Sequence, residues 1–154
     1  HMGVAGLVVF PVHGEFYNAE LLRLVLDSFP LVLVDRYLKG IPACAVYTDN
    51  VRAARELTGY LLDRGHQSIA FLSPPAEHTS TIEDRLQGFA EAFDRRGLRV
   101  APELVLSRLV STLPAVLPPE SEIGDEATLH AFLSEHPHVT GIVASEYGLA
   151  RLAA

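Results

Sequence analysis

Asp49 and Arg85 are the residues of this chain best suited to holding a small polar molecule. Asp49 lies in the run Thr48-Asp49-Asn50, and Arg85 begins Arg85-Leu86-Gln87-Gly88-Phe89. Between them stands Gly65-His66-Gln67-Ser68-Ile69-Ala70-Phe71-Leu72. The order predicts a loop, a helix, a tight turn, a buried strand, and then an arginine opening a second helix. One carboxylate and one guanidinium then sit at the ends of parallel elements, where α/β sheets bind small molecules. A carboxylate accepts hydrogen bonds from hydroxyls, and a planar guanidinium offers paired donors. Each residue also has a purely structural reading. Asp49 can cap the following helix, a role worth ~1 kcal/mol. Arg85 can pair with Glu83, Asp84 or Glu91 on its own helix.

Other reactive residue types read as structural. His66 belongs to a Gly-His turn. His136-Pro137-His138 lacks a third metal ligand and reads as a solvated loop. Arg95, Arg96 and Arg99 fit a solvated helix end, where positive charge complements the helix dipole. Cys44 is the single cysteine, which excludes an internal disulfide and a thiolate cluster. There is no nucleophile elbow, P-loop or Gly-x-Gly-x-x-Gly pattern. No catalytic residue, cofactor or metal is therefore expected, and an enzyme reading would rest on fold analogy alone.

The elements that must position Asp49 and Arg85 alternate. Gly6–Phe10 is a wholly apolar run ended by Pro11, as in a strand covered on both faces. A helix follows from Asn18, a suitable N-cap, to Phe29, and a second buried strand spans Leu31–Val34. Cys44–Tyr47 reads as a short strand. Asp49 or Asn50 caps a helix over Val51–Asp63, which Gly65 ends. Ser68–Leu72 is the next strand, and Ile82–Arg96 a helix with Leu86, Phe89, Ala90 and Phe93 on one face. Leu104–Leu106 is a candidate strand. Leu109–Glu122, with three prolines, reads as a loop unusually apolar for its kind. A helix over Glu122–Glu135, a strand over Thr140–Ser145 and a helix from Tyr147 to Ala153 complete the pattern. This alternation argues for doubly wound parallel sheets.

The chain has 154 residues, 49% of them hydrophobic, enough for one domain with room for two small lobes. Its net charge of −7 opposes binding to a phosphate backbone. Val4–Val12 is too short to span a bilayer and has no basic flank, so neither a signal peptide nor a membrane contact is expected. His1-Met2 reads as a cloning remnant, and the abrupt start at a strand suggests a piece of a longer protein.

The sequence resembles the effector-binding core of the LacI/GalR family of bacterial transcription regulators. The resemblance rests on Gly6–Pro11, Pro30–Arg36, Asp49-Asn50, Gly65–Ala70, Arg85–Phe89 and Gly141–Ser145, in the family's order and spacing. It implies an α/β, periplasmic-binding-protein-like fold, with Rossmann-type parallel sheets, flanking helices and an incomplete first lobe. Residues 3–47 would form the partial N-terminal lobe and 48–154 the C-terminal lobe. A small effector, a sugar or a nucleobase, would sit in the cleft between them. DNA would be bound only through a helix-turn-helix domain absent from this chain, and the working form would be a cytoplasmic homodimer. A transport receptor of the same fold is the alternative.

By the same resemblance Arg85 points into the cleft and Asp49 accepts from effector hydroxyls. The family usually has Asn-Asp where this chain has Glu146-Tyr147. Glu146 would then supply an acceptor, and a sugar would stack on Tyr147. The half-built first lobe would leave Leu7–Phe10 and Leu31–Val34 short of partners, favouring dimerisation, strand exchange or disorder there.

Overall fold

The computed structural model describes residues 3–11, 19–76, 79–110 and 119–154. The expected alternation is present, in two three-stranded parallel sheets. The first contains β1 (Leu7–Val9), β2 (Leu31–Val34) and β3 (Cys44–Val46), in that order, with α1 (Ala19–Leu26) between β1 and β2. Leu7 pairs with Leu31 and Val34 with Val46. Asn18, the proposed cap of α1, lies outside the described residues.

Two expectations about this sheet are corrected. Leu31–Val34 is not short of partners: it is the central strand, paired on both sides, with Leu31 and Leu33 buried. β1 is not covered on both faces, since Val8 is 74% exposed and Leu7 and Phe10 are exposed as well. It is an edge strand, and α1 buries none of its own residues against it. Apolar composition marks β1 as a strand but does not decide what covers it.

The second sheet runs β5 (Val105–Leu106), β4 (Ile69–Leu72), β6 (Gly141–Ala144). β4 is its centre and is buried throughout. Its alternation splits the core in two. Ile69 and Phe71 pack with Leu62, Phe89, Phe93 and Val143. Ala70 and Leu72 face the other way, toward Leu104, Leu106, Leu129, Phe132 and Leu149. Helices α2 (Asn50–Asp63) and α3 (Ser80–Asp94) cover the first face; α4 (Pro119–Glu135) and α5 (Tyr147–Leu152) cover the second.

Helices α2 and α3 cross at very short range. A Cβ on Gly88 would stand 2.1 Å from the carbonyl oxygen of Val51, so only glycine fits. Arg55 reaches Glu91 at 2.8 Å, and Arg96 reaches Asp63 at 2.6 Å. Arg96 also donates to the carbonyls of Gly59 and Ala92. It is thus a clamp between the two helices rather than a solvated helix end. Gly65, at φ +88°, ends α2 as expected.

The start of α4 is also corrected. It begins at Pro119, three residues before Glu122, because proline's fixed φ suits a first helical turn and its missing N–H is no loss there. The central part of the expected Leu109–Glu122 loop, residues 111–118, lies outside the described residues. Leu109 is fully buried, which accounts for the apolar character at its start.

Candidate functional site

The residues that follow β3 and β6 are joined through one side chain of α3. The chain leaves β3 through Tyr47, Thr48 and Asp49 and enters α2. It leaves β6 through Ser145 and Glu146 and enters α5. Arg85, on the second turn of α3 rather than at its opening, joins these exits. Its Nε donates to Asn50 Oδ1 at 2.9 Å. Its Nη1 donates to the Ser145 carbonyl at 2.6 Å and to Glu146 Oε1 at 3.0 Å. The Arg85 and Glu146 side chains are 25% and 21% exposed, so the ion pair is half-shielded from water but reachable.

The local pairs that could have occupied Arg85 are engaged elsewhere. Glu83 pairs with Lys39, Asp84 accepts from the Tyr37 hydroxyl at 2.9 Å, and Glu91 pairs with Arg55. Among the described residues, Arg85 Nη2 and the second oxygen of Glu146 make no hydrogen bond. The Ser145 hydroxyl, buried beside them, has no partner among the described residues either. Buried polar atoms without partners are uncommon and call for an explanation.

The predicted residues therefore divide. Arg85 and Glu146 are in contact. Asp49 caps α2, its Oδ1 accepting from the Arg52 N–H at 3.0 Å, while its side chain stays exposed. Tyr147 follows Glu146 and is 69% exposed. Asn50 does what was not foreseen. Only 3% exposed, it donates to the Thr48 carbonyl and receives Arg85. Two adjacent cap-type residues at one helix start were the available signal: once one caps, the other is free for a different task.

Arg85 and Ser145 also line a cavity of about 180 Å³, with Ala53, Ala54 and Leu57 of α2 on one wall and Phe71, Val143 and Ala144 beneath. Ligand pockets usually run to ~300–1,000 Å³, so this is the size of a subsite. Two larger grooves lie elsewhere. One runs along the outer surfaces of α2 and α3 around Arg55, Gly59 and Arg96, and the other flanks the start of β6 around His136 and Val139. Neither involves the strand exits.

The segment after β2 is also tied to the start of α3. Ser80 Oγ donates to the Tyr37 carbonyl at 3.0 Å, and the Tyr37 and Tyr47 rings lie 4.7 Å apart. Burial pushes the Tyr37 phenol up to about 12, with the hydrogen bond to Asp84 adding to it. Asp35 opens this segment at φ +73°, a conformation uncommon for a residue with a Cβ. His66 is structural, its Nδ1 3.1 Å from Thr140 Oγ1. His136 Nδ1 lies 2.8 Å from the Phe132 carbonyl, and no cluster of three metal-ligating side chains exists among the described residues.

Comparison with known proteins identifies the family of the fold that carries these residues. A family profile described as periplasmic binding proteins and sugar binding domain of LacI family matches residues 18–150. The HTH-type transcriptional regulator PtxS of Pseudomonas putida is 35% identical over 97 residues, covering 62% of this chain and 28% of that protein. A regulatory protein of the LacI family from Chloroflexus aggregans superposes with a TM-score of 0.75 at 25% identity, over 97% of this chain and 50% of that one. The transcriptional regulator CelR, solved as a cellobiose complex, gives 0.70 at 26% identity, over 92% and 40%. The chain spans about half or less of the length of these relatives. It belongs to the LacI family of periplasmic-binding-protein-like domains, as an effector-binding domain of that type.

Proposed function

We propose that this chain is the sensing part of a LacI-type transcription regulator, binding a small sugar-like effector where the exits of β3 and β6 meet. The observation that carries the reading is the bridge made by Arg85 between Asn50 and Ser145-Glu146. In this reading residues 3–47 and 48–154 are two lobes around a cleft. Arg85 donates to effector oxygens, Glu146 accepts from hydroxyls, Tyr147 offers a ring face, and Asp49 stands at the rim. Exposed aromatic side chains follow three of the strands, Phe10, Tyr47 and Tyr147, and suit the apolar faces of a sugar ring. The CelR relative, solved with cellobiose, supports a carbohydrate over a nucleobase.

The effector would favour one arrangement of the lobes, and a homodimer would pass that preference to DNA-binding domains in the cytoplasm. The helix-turn-helix relatives favour this regulator over a transport receptor. The test uses the full-length protein and its operator in a fluorescence-anisotropy titration with a panel of sugars and nucleosides. At least one sugar should change operator affinity. A panel without effect, or an upstream gene segment encoding a secretion signal instead of a helix-turn-helix, refutes the proposal.

A further inference from the structure

We infer that Glu146 makes this site selective for neutral polyhydroxy ligands and against acidic ones such as sugar acids and sugar phosphates. The inference rests on the reading that the effector binds at Arg85. An arginine at a binding site ordinarily invites carboxylates and phosphates, because its fork matches their geometry. Here that invitation is already answered. Nη1 is held by the Glu146 carboxylate and the Ser145 carbonyl, and Nε by Asn50. The pair is close to neutral before any ligand arrives.

What remains open is a set of complementary hydrogen-bonding atoms. Arg85 Nη2 donates and the second Glu146 oxygen accepts. A pair of neighbouring hydroxyls satisfies both, one oxygen accepting from the guanidinium while the other hydroxyl donates to the carboxylate. An anionic group in the same place would stand beside the Glu146 carboxylate, half-shielded from water, where like charges repel more strongly than in bulk. It would gain little from a guanidinium already neutralised. Asp49, exposed at the start of α2, adds a further negative charge near the exit of β3. The cavity beneath has six small or apolar residues and no free cation among the described residues to offset this.

The test is calorimetry on this chain with inorganic phosphate and with two matched pairs, glucose against gluconate and ribose against ribose 5-phosphate. Wild type should bind phosphate and the acidic members about tenfold or more weakly than Glu146→Gln does. Phosphate binding gained by E146Q should disappear in the double variant with Arg85→Gln. Glu146→Ala is the second variant, and should gain phosphate in the same way. Wild type binding phosphate or either acid as tightly as E146Q and E146A overturns the inference, as does the absence of any gain in both variants. The underlying site reading is judged separately: it fails if Arg85→Gln leaves neutral-sugar binding intact, whatever phosphate does.

Discussion

Asn50 and Arg85, 35 positions apart, are joined by a 2.9 Å hydrogen bond from the guanidinium Nε to the amide oxygen. The bond fixes the arginine's direction, because the same amide is anchored by its own donor to the Thr48 carbonyl. Replacing Asn50 with alanine strands both partners in a part-buried setting. The expected loss is about 1–3 kcal/mol of stability, read by urea denaturation, with effector affinity falling in parallel. Asp49→Ala should cost about 1 kcal/mol through the lost helix cap. Equal effects of the two substitutions on effector affinity would contradict the ranking.

Gly88 sets the distance between α2 and α3. A methyl group there would meet the Val51 carbonyl oxygen at 2.1 Å, so the helices must separate. Gly88→Ala should cost about 3 kcal/mol, at the upper end for overpacking. Because Asn50 precedes Val51 and Arg85 lies one turn before Gly88, the same shift should weaken effector binding. Gly65→Ala meets nothing within 4 Å and bears only its left-handed φ, a cost of about 1 kcal/mol. Thermal melts of the two variants check the order, and Gly65→Ala being the more damaging would refute it.

How much of this was readable from the sequence depended on whether the information was local. β2 matched its expected span because a four-residue apolar run between Pro30 and Asp35 is too short for a helix, and the fully buried β4 stood out equally well. Asp49 as a cap was also local. The start of α4 was lost among prolines, which mark loops and first helical turns alike. Arg85 was legible as a candidate, but its partners Asn50 and Glu146, 35 and 61 positions away, were not. Spacing along a chain does not reveal which strand exits converge. The same limit hid the role of Arg96, whose partner Asp63 lies on the other helix.

The Tyr37–Asp84 bond ties the segment after β2 to α3 and carries a pH signature. The phenol is raised from 10.0 to about 12, chiefly by burial. A raised pKa means the folded state holds its proton more tightly than the unfolded state. The stabilisation is therefore complete below pH ~10 and declines as pH rises from there toward 12. Tyrosinate absorbance of wild type minus Tyr37→Phe should show a phenol titrating well above 10. The difference in stability between the two proteins should shrink across the same interval. A difference spectrum centred at 10 would show that the ring is not held as described.

Arg85, bridging the exits of β3 and β6, is proposed as the effector's main polar anchor. The most direct measurement is isothermal titration of the intact regulator and its Arg85→Ala variant with whichever sugar shifts operator affinity. Loss of an arginine's charge-assisted hydrogen bonds should weaken binding by about 2–3 kcal/mol, a factor of roughly 30 to 150, with the fold retained by circular dichroism. Unchanged affinity in a folded Arg85→Ala protein would contradict the account.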